Sequence, residues 1–213
     1  MHSVLVLGAS GLIGSHLIDL LKEDTGVDKI YLLLRKPLHT NHPKVEERIV
    51  NFSNEDSFKN NIPSVDTIFC CIGTTRKQVK GDNELYRQID FDIPVNGAKY
   101  GIEKGATKYI LVSAVGANSK SSNFYLKLKG EVEEAISVLP FKSVHFMRPS
   151  ILMGNRKEFR LGEKIGKVVM QLFSFLIPAK YKAIQAGQVA KAMIAADKSV
   201  KVGRNIWEYR EMK

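Results

Sequence analysis

A run of three glycines near the N-terminus constrains the fold of this 213-residue chain most strongly. The run, Gly8-Ala9-Ser10-Gly11-Leu12-Ile13-Gly14, follows a short apolar segment and precedes apolar residues at helical spacing. In such a turn the first glycine permits a sharp bend, the second lets the backbone approach a pyrophosphate, and the third lets the helix pack closely on the sheet. The free N–H groups that begin the helix would face the anion. The run therefore predicts a dinucleotide-binding turn, with a tight turn that binds no ligand as the alternative.

Segments with strand and helix patterns alternate along the rest of the chain. The predicted strands are 3–7, 29–34, 47–52, 65–72, 109–113, 143–147 and 205–209. The predicted helices are 12–21, 83–104 with an interruption near Pro94, 120–138, 164–175 and 185–197. Because parallel strands need long crossover connections, this order predicts a doubly wound α/β fold with a parallel sheet. We expect one domain over residues 1–213, with ligands at the carboxyl ends of the strands and residues from about 155 onward covering a substrate pocket.

Composition narrows the range of partners. The 32 Lys and Arg residues exceed the 22 Asp and Glu residues, giving a net charge of +10. Nucleic-acid binding is therefore an alternative, but the cations are scattered and do not alternate with aromatic residues, so we expect no nucleic-acid partner. The five histidines lack metal-ligand spacing, so we expect no metal.

The apolar segments and the cysteines suggest a location. No apolar run approaches the roughly 20 residues that span a bilayer, and residues 1–8 do not resemble a signal peptide. A disulfide between the adjacent Cys70 and Cys71 would be sterically awkward, which agrees with a reducing compartment. We expect a cytoplasmic protein without a membrane partner, either a monomer or a homodimer.

The end of the second predicted strand indicates which dinucleotide binds. An acidic residue at this position favours the free ribose hydroxyl of NAD, whereas arginine accommodates the 2′-phosphate of NADP. Here the strand ends in Arg35 and Lys36, with no carboxylate. We therefore expect NADP(H), although two solvated cations without a ligand would give the same sequence.

Three further residues have the chemistry of proton transfer. Tyr125 and Lys129 are four residues apart on a predicted helix, so they share one face. A phenol is a sluggish acid and a poor base unless its anion is stabilised, and the Lys129 ammonium can supply that stabilisation. Ser113 ends the fifth predicted strand, where its hydroxyl could orient a substrate carbonyl. We predict that Ser113, Tyr125 and Lys129 form a catalytic group.

These motifs resemble the short-chain dehydrogenase/reductase superfamily, in particular its atypical branch with a Gly-x-x-Gly-x-x-Gly turn. Residues 69–76, 121–124 and 129–133 are similar to the group of Tat-interacting oxidoreductase-like proteins. The resemblance covers nearly the whole chain and implies a single Rossmann-type domain that binds NADP(H). It also implies two further contacts with the cofactor: the adenosine half with Cys71, Ile72 and Gly73, and the nicotinamide with Arg148, Pro149, Ser150 and Ile151.

Three functions are open at this point. The first is an NADP(H)-dependent oxidoreductase that moves a hydride between the nicotinamide and a carbonyl or alcohol substrate, a small molecule. The second is a protein that binds NADP(H) as a redox sensor or assembly factor without catalysis, which would need only the glycine turn. The third, nucleic-acid binding, depends on net charge alone.

Overall fold

The computed structural model describes residues 2–154 and 178–213. Its nine strands are β1 (Ser3–Leu7), β2 (Lys29–Leu34), β3 (Val45–Ile49), β4 (Thr67–Cys70), β5 (Lys108–Val112), β6 (Ser143–Met147), β7 (Leu152–Met153), β8 (Ile184–Gln185) and β9 (Gly203–Trp207). Seven of them form one sheet in the order β3-β2-β1-β4-β5-β6-β9, and every pair is parallel. The strands β7 and β8 pair separately. The predicted doubly wound α/β fold is confirmed.

Helices cover both faces of this sheet. They are α1 (Leu12–Glu23), α2 (Glu55–Asn61), α3 (Asn83–Arg87), α4 (Ile93–Glu103), α5 (Phe124–Ser137), α6 (Ala186–Lys198) and α7 (Tyr209–Met212). One apolar core lies between the sheet and helices α1 and α6. The other lies between the sheet and helices α2, α4 and α5. Because the strands are parallel, the loops that follow them lie along one end of the sheet. We call this end the carboxyl edge.

The central strands explain why the sheet is stable. In β1, Val4 and Val6 face one core while Leu5 and Leu7 face the other, as alternation along a strand requires. All four side chains are completely buried. A strand buried on both faces has a continuous apolar sequence, and burying each large side chain contributes roughly 1.5–3 kcal/mol.

Some predicted boundaries differ from the structure. The third strand is Val45–Ile49 rather than 47–52, because this edge strand tolerates the charged residues Glu46 and Glu47 that hid it in the sequence. The last strand is Gly203–Trp207 rather than 205–209, since α7 begins at Tyr209. The helical stretch after residue 83 continues through Pro94, which occupies the first turn of α4, where proline is tolerated. The predicted helix 164–175, and the pocket-covering part of the chain as far as residue 177, lie outside the described residues.

Of the helices in the described ranges, none combines the length and the apolar character needed to cross a bilayer.

His145 is a buried titratable residue of β6, on the side of the neighbouring strand β9. Its ring is fully buried, and its Nδ1 atom accepts a hydrogen bond of 3.0 Å from the indole N–H of Trp207. Within the described residues, its Nε2 atom has no hydrogen-bond partner. Burial, together with the nearby cations Lys108 and Lys201, lowers the pKa of His145 to about 4. The folded chain therefore keeps this imidazole neutral under mildly acidic conditions.

We expect this histidine to make stability depend on pH. Between pH 6.5 and 4, His145 is protonated in the unfolded chain but neutral in the folded chain. The free energy of unfolding therefore falls by about 3 kcal/mol as the pH is lowered through this range. In His145→Asn, whose side-chain oxygen can still accept from Trp207, this part of the pH dependence should disappear. Urea unfolding of both proteins from pH 4 to 7 measures the difference. Parallel stability profiles would contradict the assignment.

Candidate active site

The glycine turn packs directly against the end of β4. Gly8 follows β1 with a φ of +82°, a conformation that side-chain-bearing residues rarely adopt. A Cβ atom at Gly8 would lie 2.7 Å from the carbonyl carbon of Cys71 and 2.8 Å from the nitrogen of Ile72. The structure therefore brings the glycine turn together with Cys71 and Ile72, and it leaves no room for a side chain between them.

The start of α1 has the geometry of an anion site. Gly11 precedes the helix and donates its N–H to the carbonyl of Gly8 at 3.0 Å, which closes the turn. Ser10 is exposed, Leu12 is half-buried and Ile13 is buried. The N–H groups of the first helical turn have no partner within the helix, so they can bind an anion.

Gly14 shows that close packing, and not only turning, is required here. A Cβ atom at Gly14 would lie 2.2 Å from the carbonyl oxygen of Gly8. By contrast, the nearest atom to a Cβ at Gly187, in the first turn of α6, is 4.0 Å away in His16. The third glycine thus lets α1 pack closely against the turn after β1, as the third glycine does in dinucleotide-binding folds.

Arg35 and Lys36 follow β2, the neighbour of β1 in the sheet. Both side chains are exposed. Since the strands are parallel, their position after β2 is on the same edge of the sheet as the glycine turn. The two cations are therefore available to a phosphate group near that edge.

Tyr125 and Lys129 lie on α5, as the sequence predicts. Asn123 begins this helix by accepting the N–H of Leu126 at 3.1 Å. Tyr125 is 38% exposed, whereas the Lys129 side chain is almost completely buried. The Lys129 Nζ atom lies 5.9 Å from the centre of the Tyr125 ring. A partly accessible phenol and a buried ammonium group therefore stand side by side.

Asp90 pairs with this buried lysine. Its carboxylate is fully buried, with Oδ2 3.0 Å from Lys129 Nζ at angles outside those of a regular hydrogen bond, so the contact is an ion pair. Its Oδ1 accepts the backbone N–H of Thr74 at 2.6 Å. Burial lowers the pKa of Lys129, but Asp90 first and Tyr125 second outweigh this effect, so the pKa lies above its usual value. The ammonium is therefore charged at neutral pH.

Ser113 has an internal partner. Its hydroxyl donates to Oε1 of the buried Glu133 at 2.6 Å. Glu133 also accepts from Nε of Arg148 at 2.9 Å and from Nη2 of Arg204 at 3.1 Å. Because a serine hydroxyl has one proton, it could donate to a substrate carbonyl only if the bond to Glu133 broke. The guanidinium of Arg148 is likewise held by Glu133.

The residues after β6 connect three parts of the carboxyl edge. The carbonyl of Pro149 accepts from the N–H of Val115, and the hydroxyl of Ser150 donates to the carbonyl of Lys182. The carbonyl of Ile151 accepts from the N–H of Ile184, while its side chain is half exposed. Arg148 through Ile151 therefore lie at the predicted edge, with Ile151 most open to a ligand.

Gly73 is exposed, and a Cβ atom there would lie 3.8 Å from Oδ2 of Asp90. Asp90 and Glu133 were not predicted from the sequence as site residues. The spacing of Glu133, four residues after Lys129 on one helix face, was an available signal. Asp90, between the apolar Ile89 and Phe91, was a weaker one.

A cavity of about 370 Å³ is lined by residues 178–180 and 208–211, and none of the predicted site residues lines it. In the part of the chain that the structure describes, no cluster of His, Cys, Asp and Glu side chains could hold a metal ion.

Known proteins resemble this chain in sequence. A family model described as NAD(P)H-binding matches residues 8–138. A curated relative, "Protein FMP52, mitochondrial" from Eremothecium gossypii, is 33% identical over 208 residues, covering 94% of this chain and 92% of the relative. "Protein HTATIP2" from Rattus norvegicus is 32% identical over 78% of this chain and 69% of its own length.

Solved structures show the same fold at low sequence identity. "MoeE5 in complex with UDP-glucuronic acid and NAD" has a TM-score of 0.75 at 14% identity, covering 97% of this chain and 76% of that chain. A UDP-N-acetylglucosamine 4-epimerase from Bacillus cereus has a TM-score of 0.72 at 17% identity, covering 98% and 79%. At these identities the likeness supports the fold alone.

The relatives correct one expectation. The sequence suggested a cytoplasmic location, but similar proteins from six fungi carry names that place them in mitochondria. The cytoplasmic expectation was wrong. It depended on the apolar segments and the cysteines. These features reflect folding and redox chemistry and carry little information about the compartment in which a protein is located.

Glu133 should contribute strongly to stability. In Glu133→Ala, Arg148 and Ser113 lose the buried carboxylate that pairs with them, and removing one member of a buried ion pair costs about 3–5 kcal/mol. The matched control is Glu134→Ala, since Glu134 is the exposed neighbour on the same helix. Its cost should be below about 1 kcal/mol. Chemical denaturation measures both, and equal losses in the two variants would show that the buried network is not stabilising.

Proposed function

This chain belongs to the NAD(P)H-binding family, as a member of the atypical short-chain dehydrogenase/reductases, and we propose that it is an NADP(H)-dependent oxidoreductase. It would transfer a hydride between the nicotinamide and a carbonyl or alcohol carbon of a small molecule. The observation that carries the proposal is the Tyr125–Lys129 pair in a fold whose glycine turn fits a dinucleotide. A protein that only bound the nucleotide would need the turn alone.

Each side chain has a definite task in this scheme. When bound, the reduced cofactor supplies the hydride. Tyr125 donates its phenolic proton to the oxygen of the substrate as negative charge develops there. Lys129, charged and 5.9 Å from the ring centre, stabilises the phenolate that remains, and its three N–H donors allow it to hold a ribose hydroxyl as well. In the oxidative direction the phenolate accepts the proton of the alcohol.

Ser113 has a narrower task than the sequence suggested. While its proton is donated to Glu133, the hydroxyl can offer only lone pairs to a ligand. We propose that it positions the end of β5 and orients a donor such as an alcohol hydroxyl, rather than polarising a carbonyl.

The preference for NADP(H) is supported by Arg35 and Lys36, which are exposed after β2. Cations at this position can pair with the 2′-phosphate. Cys71, Ile72 and Gly73 would border the adenosine half, and Arg148 to Ile151 the nicotinamide. We also propose a mitochondrial location, supported by the names of the fungal relatives.

One observation favours a second candidate, a redox sensor that binds NADP(H) without catalysis. Ser113 and Lys129 both have buried partners within the chain, Glu133 and Asp90. Internal pairing of this kind is also what a structural role would produce. The two candidates share the cofactor and differ in turnover.

The cofactor preference can be tested by titrating the protein with NADPH and with NADH while following nucleotide fluorescence. We expect tighter binding of NADPH. Arg35→Asp should weaken NADPH binding roughly tenfold to a hundredfold, the value of one charged hydrogen bond, and leave NADH binding nearly unchanged. Lys99→Asp, at an exposed position on α4, controls for the change in net charge. Equal effects of the two substitutions would contradict the role of Arg35.

Turnover tests the reaction itself. With NADPH and a panel of aldehydes and aromatic diketones, Tyr125→Phe should lower kcat roughly 10²–10⁴-fold, because the proton donor is lost, while NADPH affinity stays within about threefold. Tyr31→Phe, on β2, is the matched control. An active parent protein whose Tyr125→Phe variant keeps full activity would exclude Tyr125 as the acid. Binding of NADPH without turnover of any substrate would favour the sensor.

A further inference from the structure

Asp90 occupies an unusual piece of backbone. Helices α3 and α4 are joined by a π-helical turn, Gln88–Asp92, in which the hydrogen bonds skip one extra residue. Such turns change the direction in which side chains point and occur frequently at functional sites. Here Asp90 is fully buried, whereas Asp92 on the same turn is only half-buried. The turn therefore directs one carboxylate into the protein.

The two oxygens of Asp90 bind different parts of the candidate site. Oδ1 accepts the N–H of Thr74, which follows the segment 71–73 beside the glycine turn. Oδ2 lies 3.0 Å from Nζ of Lys129 on α5. One side chain thus connects the loop after β4, called here the Thr74 loop, with the helix that carries the acid–base pair.

We propose that Asp90 is a positioning residue that holds Lys129 as a charged ammonium group beside Tyr125 and fixes the Thr74 loop relative to it. The inference rests on the proposed function, because it deepens the role of Lys129 there. It adds a residue that the glycine turn and the Tyr125–Lys129 spacing do not reveal.

The charge balance around Lys129 supports this role. The titratable groups that face its ammonium are Asp90 from the π turn, Tyr125 from its own helix and Cys70 from β4. Burial raises the pKa of the Cys70 thiol, so it is neutral at pH 7. Asp90 is therefore the anion that offsets the desolvation of Lys129. Without an anion, burial favours the neutral amine, which could neither stabilise a phenolate nor donate three hydrogen bonds.

The test compares Asp90→Asn with Asp92→Asn, the same change two residues away on the same turn. Lysine labelled with ¹³C and ¹⁵N gives an NMR titration of each ammonium group, and the signal of Lys129 is identified by its absence in Lys129→Arg. We expect the titration midpoint of Lys129 to fall by more than about one pH unit in Asp90→Asn. In Asp92→Asn it should not move.

Binding of NADPH provides the second measurement. Because Asp90 also fixes the Thr74 loop, Asp90→Asn should weaken NADPH binding roughly tenfold, while Asp92→Asn stays within about twofold. An unchanged Lys129 midpoint, or an unchanged NADPH affinity, in Asp90→Asn would overturn the proposal. A shifted midpoint in a protein whose parent form binds no NADPH would instead support the charge role and overturn the proposed function.

If Asp90→Asn fails to fold, the NMR titration of Lys129 in the unsubstituted protein tests the proposal. The Lys129 signal should then be that of an ammonium group from pH 6 to pH 10. A neutral Lys129 amine at pH 9 would overturn the proposal.

Discussion

The arrangement of the site depends on ionic contacts that fix α5 to the rest of the protein. Lys129 on this helix pairs with the buried carboxylate of Asp90, and Glu133, one turn further on, pairs with Arg148 and Arg204. Buried charges are costly unless they are paired, so each contact is satisfied only in one position of the helix. Tyr125 lies at the exposed end of the same face of α5, so these contacts also fix its position.

The sequence was informative where the structural requirement is local. A side chain at Gly8 would collide with the backbone of Cys71, and a side chain at Gly14 would collide with the backbone of the turn itself. Three glycines at this spacing after a strand are therefore a local signal of the turn. Tyr125 and Lys129 share a helix face because they are four residues apart. The central strands were recognisable because they are apolar on both faces.

The sequence was uninformative where contacts join distant segments. Arg204 is 71 residues from Glu133, and no local pattern indicates that they meet. The expectation that the Ser113 hydroxyl faces a substrate did not foresee its bond to Glu133, which forms only when β5 and α5 pack together. The π turn that buries Asp90 was equally hidden, since residues 83–104 have an ordinary helical pattern interrupted only by Pro94.

The family, the fold and the close packing of the glycine turn agree with one another, while the proposed reaction depends on a few side chains. A fold of this class supports many activities, so the chemistry must be argued from Tyr125, Lys129 and their partners. The ionic contacts of α5 are compatible with catalysis because a fixed, charged lysine stabilises a phenolate best when little has to move.

A crystal structure of the NADPH complex would test the central claim most directly, namely that the glycine turn and the Tyr125–Lys129 pair serve one ligand. The claim requires the pyrophosphate at the first turn of α1 and a ribose hydroxyl within hydrogen-bond distance of Lys129 Nζ, with the nicotinamide beside Tyr125. A nucleotide bound with its nicotinamide away from α5 would contradict it, and the ion pair between Asp90 and Lys129 would then be purely structural.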